Sequence, residues 1–165
     1  MKRVIFFLAL ALATQASMAQ RTAYHEQPEK WFNQGKEMFL EENYTGAQDM
    51  LEKFAAESTD EFLKEEAAYM MAVAEFRRGN ENSGDILKAF IDTYPETIHR
   101  HELNFLIGSF HYDKKEWEEA RFWFNVSDLD YLTLAEQEDY SFRAGYTHMQ
   151  LGNTDEATRY FGLLS

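Results

Sequence analysis

The 165-residue chain has no cysteine and little of the residues that punctuate irregular structure, with two prolines and eight glycines. Without thiols there is neither a disulfide nor a thiolate metal site, so stability rests on packing. The shortage of proline and glycine argues against many short strands joined by tight turns and for a mostly helical chain. Positive charge is scarce too: 16 Lys and Arg stand against 29 Asp and Glu, a formal net charge of −13. Phosphate backbones are gripped by clustered Lys and Arg, which argues against nucleic acid as a partner. The same charge disfavours an anionic membrane surface. The longest apolar run, "VIFFLALALA" from Val4 to Ala13, falls short of the roughly 20 residues of a membrane-spanning helix, and no integral span is expected.

Patterns that carry chemistry are missing as well. There is no glycine-rich phosphate loop, serine elbow or nucleophile–base constellation, so neither catalysis nor a cofactor is expected. "HELNF" at 101–105 lacks the second histidine of a zinc-protease motif. His99 and His101 are two apart, which on a helix puts them on opposite sides. His25, His111 and His148 stand in different parts of the chain. These histidines read as surface or groove residues, with no metal site.

What is present is apolar: 45% hydrophobic and 16% aromatic residues are too many for a disordered chain and enough for a core. The first 19 residues read as a signal peptide. Lys2 and Arg3 precede the apolar run, and Ser17 and Ala19 are small residues at the spacing a signal peptidase reads. Cleavage between Ala19 and Gln20 leaves a short linker at 20–27 and an exported protein, in the periplasm or cell envelope of a bacterium.

From residue 28 onward the chain repeats itself. "WFNQGKEMFLEENYTGAQDMLEKF" (31–54), "AYMMAVAEFRRGNENSGDILKAF" (68–90), "NFLIGSFHYDKKEWEEARFWFNVS" (104–127) and "SFRAGYTHMQLGNTDEATRYFGLL" (141–164) align. Small residues recur at Gly35, Ala72, Gly108 and Gly145, and again at Ala47, Ser83, Ala120 and Ala157. Leu51, Leu87, Phe124 and Phe161 each follow the second set by four residues. Periods of this length signal an array of small units. Each unit reads as two helices with a turn between, "EENY", "RRGNEN", "DKKE" or "QLGN"; Gly79 and Gly152 suit helix C-caps. Pro28 suits a first helical turn, and "STDE" (58–61) and "TLAE" (133–136) are capping-box patterns. Gly, Ala or Ser is needed where one helix crosses its partner closely. The boundaries expected are about 28–61, 62–98, 101–134 and 138–165, the last unit truncated.

An aromatic, then Gly or Ala, then "Y/W-x-x-A" opening a second helix, as in "WFNQG…NYTGA" and "FLIGS…EWEEA", resembles the tetratricopeptide repeat family. The resemblance covers residues 28–165, though the period exceeds the family's usual 34 by two or three residues. "FIDTYPET" (90–97) resembles the family's exported bacterial members. The resemblance implies an all-α, right-handed superhelical array of about four helix–turn–helix units whose first helices line a concave groove. On that footing Phe32, Lys36, Tyr69, Val73, Phe76, Arg77, Phe105, Tyr112, Phe142, Arg143 and Tyr146 face a partner, and Gly35, Ala47, Ala72, Ser83, Gly108, Ala120, Gly145 and Ala157 are structural. The expected partner is a protein or peptide of unknown identity.

"KKEWEEARFWF" (114–124), read alone, hints at a sugar site. In register with its sister segments it is a turn, an aromatic plug at Trp117 and a helix start. Adjacent carboxylates on a helix diverge by about 100°, so Glu118 and Glu119 cannot face each other across a bond as a glycosidase pair must. Two alternatives stay open: a glycan-binding helical-repeat protein, and a targeting module of a longer protein with a catalytic domain. "ATRYFGLLS" leaves Phe161, Leu163 and Leu164 without a covering helix, so self-association or continuation of the array is expected there.

Overall fold

The computed structural model describes residues 28–164; the expected signal peptide and linker lie outside them. Among the described residues the chain is all-α, without a strand. Helix α1 covers 28–40, with Pro28 in its first described turn. It is followed by α2 (Tyr44–Glu57), α3 (Glu61–Arg77), α4 (Ser83–Thr93), α5 (Arg100–Asp113), α6 (Trp117–Asn125), α7 (Leu134–Gln150) and α8 (Thr154–Phe161). Short 3-10 turns lie at Leu129–Tyr131 and Gly162–Leu164. By compactness the chain divides inside α3, into one unit through Met70 and another from Met71.

In the first unit, α2 buries Ala47, Leu51 and Phe54, a spacing of four and three that places them on one face. That face receives α1: the Phe32 ring lies 5.1 Å from Phe54, and Phe39 meets Tyr44 edge-on at 5.7 Å. In the second unit, α5 is buried over the whole stretch from Leu103 to Ser109. Such all-round burial requires neighbours on every side, and α4, α6 and α7 supply them. The rings of Phe105, Phe124 and Tyr140 form its centre, 5.5–6.4 Å apart. The Tyr140 hydroxyl donates to the Phe124 carbonyl at 2.7 Å, tying α7 to the end of α6. Asn104, also buried, donates to the Val126 carbonyl at 3.0 Å.

Glycine fixes how closely the helices of a pair approach. A Cβ on Gly35 would sit 2.7 Å from Leu51, one on Gly108 2.6 Å from Phe124, and one on Gly145 2.7 Å from Phe161. These are the residues that the aligned segments place opposite each other. Ala47, Ala72, Ser83, Ala120 and Ala157 are all buried. Gly84, which the alignment did not single out, abuts the Phe110 ring across α4 and α5.

The turns recur as closely as the contacts. Glu42, Gly79, Lys115 and Gly152 all have positive φ, at 60°, 74°, 60° and 78°. Around each, the same pair of hydrogen bonds closes the preceding helix. At the first turn the Glu42 N–H donates to the Phe39 carbonyl and the Asn43 N–H to Met38. At the second the pairs are Gly79 to Phe76 and Asn80 to Glu75. Lys115 to Tyr112 with Glu116 to His111, and Gly152 to Met149 with Asn153 to His148, complete the set. This is the Schellman closure, which needs a left-handed residue at its centre. Glycine was expected there at two turns; at the other two, Glu42 and Lys115 carry a Cβ into the same conformation.

Helix starts agree in part with the sequence reading. "TLAE" forms its capping box: the Thr133 hydroxyl accepts from the Glu136 N–H and the Glu136 carboxylate accepts from the Thr133 N–H. "STDE" does not. Helix α3 begins at Glu61, so Asp60 is the cap and its carboxylate accepts from the Leu63 N–H at 3.0 Å. Ser58 instead accepts from the Asp60 N–H. Phe161, expected to be bare, is half-buried against Gly145 and Phe142, while Leu163 and Leu164 are exposed.

Two substitutions test this frame. In an open helix, Gly→Ala stabilises by about 0.5–1 kcal/mol. Gly108→Ala is expected to destabilise instead, by about 1–3 kcal/mol from overpacking against Phe124, with Phe124→Leu relieving part of the loss in urea denaturation. Glu42→Gly is expected to raise the unfolding free energy by about 1 kcal/mol, by removing a Cβ from the left-handed region.

Candidate functional site

The residues expected to line a groove divide by burial. Phe32, Val73 and Phe105 are 8%, 2% and 3% exposed and belong to the core. They present nothing to a partner, because their rings and methyls are consumed by helix packing. Lys36 and Arg77 are exposed, and Tyr69 and Phe76 half-buried. The remaining four, Tyr112, Phe142, Arg143 and Tyr146, come together in the second unit.

Helix periodicity assembles them. Asp139, Arg143, Tyr146 and Gln150 are spaced four, three and four along α7 and share one face. The last turn of α5 brings Tyr112 and Asp113, the left-handed turn brings Lys115, and the first residue of α6 is Trp117. Tyr112, Asp113, Lys115, Trp117, Tyr146 and Gln150 line an open recess of about 440 Å³. Three of its walls are rings. Tyr112 lies 5.7 Å from Trp117 and 5.8 Å from Tyr146, and Trp117 lies 5.9 Å from Tyr146. Their planes are inclined at 74°, 69° and 61° respectively. Phe142 extends the surface, stacked on Tyr146 at 6.3 Å and half exposed.

Arg143 braces the α5 side of the recess against α7. Its Nη1 donates to Asp113 of α5 and its Nε to Asp139 of α7, both at 2.8 Å. Its guanidinium also lies 5.0 Å from the centre of the Tyr112 ring. Burial alone disfavours the Arg143 charge, but the bonds and charges of Asp139 and Asp113 outweigh it and raise its pKa. Burial raises the Tyr112 pKa too, so its phenol stays protonated. Bonded through Nε to α7 and through Nη1 to α5, Arg143 is a strut between the two helices. The sequence had marked Arg143 but passed over Asp113, Asp139, Lys115 and Gln150. Trp117, expected as a plug of the turn, also walls the recess, and Tyr44 packs on Phe39 as Trp117 packs on Tyr112.

The histidines form no site with these residues. Among the described residues no three metal-ligating side chains converge. His111 and His148, expected at the surface or in a groove, are buried. His111 Nδ1 lies 2.6 Å from Glu116 and Nε2 lies 3.0 Å from the Lys88 ammonium. An ammonium only donates, so Nε2 accepts and Nδ1–H points to Glu116. The chain of three ties α4, α5 and the following turn. His101 stacks on Tyr131 at 4.5 Å, and His148 on Tyr160 at 5.4 Å.

No family model matches this chain, and no curated protein matches its sequence.

His148 gives the fold a pH dependence. Burial lowers its pKa below 6.5, with Arg121 and Arg159 adding to the shift and Glu156 opposing it. The unfolded chain therefore takes up the proton first, so stability is full above about 6.5 and declines as pH falls toward the folded value. His148→Phe, which keeps a ring on Tyr160, should flatten the dependence of the urea midpoint as pH falls below about 6.5.

Proposed function

We propose that the protein is a non-enzymatic, tetratricopeptide-like scaffold of the bacterial periplasm or cell envelope. It binds an extended segment of a partner protein along the first helices of successive pairs. In the second unit the contact surface is the aromatic face of α5 and α7. The observation that carries this reading is the recess wall: Tyr112, Trp117 and Tyr146 pack edge-on against one another, and Arg143, bonded to Asp113 and Asp139, lies over Tyr112. A wall that is already ordered loses little entropy when a ligand docks. Rings half covered and half open combine apolar area with polar edges, as peptide-binding surfaces do.

The fold class of the proposal draws support from two local regularities: the left-handed turn, recurring every 36 or 37 residues, and the buried small residue at 35, 72, 108 and 145, glycine at three of the four. They are what a superhelical array of like pairs requires, since each pair must hand the next the same geometry. Export rests on the leader-like start of the sequence. No described helix is long and apolar enough to cross a membrane.

Site-specific photo-crosslinking tests the reading. A photoreactive residue at position 142, in cells making the full-length protein, should give discrete adducts with another protein. The same residue at exposed position 53 on α2 should give none. Phe142→Ser should cut capture by a second route of detection at least tenfold, with a loss of about 1–2 kcal/mol in stability from the half-buried ring on Tyr146 and Phe161. Adducts at position 53 in equal yield, or none at 142, would sink the proposal.

A further inference from the structure

We propose that His111 is a proton-operated latch between α4 and α5: neutral, it holds Lys88; protonated, it releases Lys88 and keeps Glu116 alone. The two states follow from which groups can donate. His111 Nε2 lies 3.0 Å from the Lys88 ammonium, and Nδ1 lies 2.6 Å from the Glu116 carboxylate. An ammonium has donors only, so Nε2 must accept from it. A protonated imidazole donates from both nitrogens and has no acceptor left. Proton uptake at Nε2 therefore sets two positively charged donors against each other, and the Lys88 bond breaks. The Glu116 bond survives the same event and gains a charged donor. One proton thus turns the ring from a bridge between two helices into a brace of its own turn.

The surroundings favour a local release. His111 is 7% exposed, whereas Lys88 is half-buried beside the fully buried Leu87. The long stem of Lys88 can carry its head into water while its methylenes stay packed. Lys88 from α4 and Glu116 from the turn are the charged groups bonded to His111. From α6 the uncharged Trp123 ring lies 5.8 Å from the Lys88 ammonium. Helix α7 faces α5 with Arg143, which is bonded to Asp113. The 3-10 turn at Leu129–Tyr131 meets α5 through Tyr131 stacked on His101.

The start of α4 is held by other means. Gly84 abuts the Phe110 ring, and the Lys114 ammonium donates to the Glu81 carbonyl at 3.4 Å. Protonation therefore frees the later turns of α4 while the first stays pinned. His148, 37 residues on, provides a contrast within the same unit. Its Nδ1 meets the Asn153 amide at 3.4 Å and its ring stacks on Tyr160, so its protonation breaks no bond to a lysine.

Hydrogen exchange in the ¹⁵N-labelled full-length protein tests the latch. The readout is the protection of amides 88–93 of α4 divided by that of amides 103–109 of α5, each corrected for its intrinsic exchange rate. Histidine changes charge within the range of about pH 8 to about pH 5.5. Across it the wild-type ratio should fall about tenfold, the weight of one hydrogen bond to a charged group. His111→Gln places a carbonyl oxygen near the Nε2 position without a titrating group, and should hold the ratio constant. Lys88→Met removes the latch from the other side, and its ratio should sit at the low value at both pH values. The wild-type change should persist in His148→Phe.

A wild-type ratio that does not change would overturn the proposal, as would a change that survives His111→Gln or Lys88→Met. Equal loss of protection in both helices would overturn it in favour of global acid unfolding. The Lys88→Met arm keeps the test decisive if His111→Gln fails to fold.

Discussion

A helix backbone laid directly on a side chain of its partner helix, with no Cβ of its own between them, is the constraint on which the rest depends. At Gly108 the backbone of α5 takes the Phe124 ring of α6 at a distance that a single added carbon would close. The same holds at Gly35 with Leu51 and at Gly145 with Phe161. Close approach sets the crossing of each pair, and the crossing decides which residues of the first helix are covered. Without cysteine there is no covalent substitute for this packing. The buried hydroxyl of Tyr140 and amide of Asn104 complete it by tying α7 and α5 to backbone carbonyls at the end of α6.

The turn that reverses direction within each pair is equally determined. A Schellman closure spends its two hydrogen bonds on the carbonyls of the last turn and puts one residue at positive φ. The sequence revealed this only where glycine occupies the position, at Gly79 and Gly152. At Glu42 and Lys115 the composition is that of any exposed turn, and nothing but register with the sister segments marks them. A register argument would have found them, because all four lie 36 or 37 residues apart. The small-residue contacts were legible for the opposite reason. They need a specific residue type, so the chain had to write Gly, Ala or Ser at those positions.

Site residues were legible to a lesser degree because helix spacing names a face without saying which neighbour covers it. Phe105 and Tyr112 are seven apart on α5 and share a face. Phe105 lies deep, against Phe124 and Tyr140, while Tyr112 lies in the last turn, where the bundle opens. Depth along the helix separates them, and no periodicity encodes depth. The same limit explains Phe32 and Val73. His111 and His148 were misplaced for a different reason: a histidine's polarity suggests surface, yet Glu116 with Lys88, and the Tyr160 ring, satisfy these two inside.

Turn and recess are one construction. Lys115 occupies the left-handed position that ends α5, and Trp117, two residues later, opens α6 against Tyr112. The turn therefore fixes two ring walls relative to each other before any contact with α7 is made. Helix α7 then supplies Tyr146 and, one turn earlier, Arg143, whose bond to Asp113 spans the two helices. Exposed ion pairs of this kind contribute little to stability; this one also lies over the Tyr112 ring. Its value lies in orientation more than in energy. A residue that spans two helices beside an open aromatic wall is what distinguishes this corner of the fold from the repeat that built it, and it is why the proposed recognition surface is placed here.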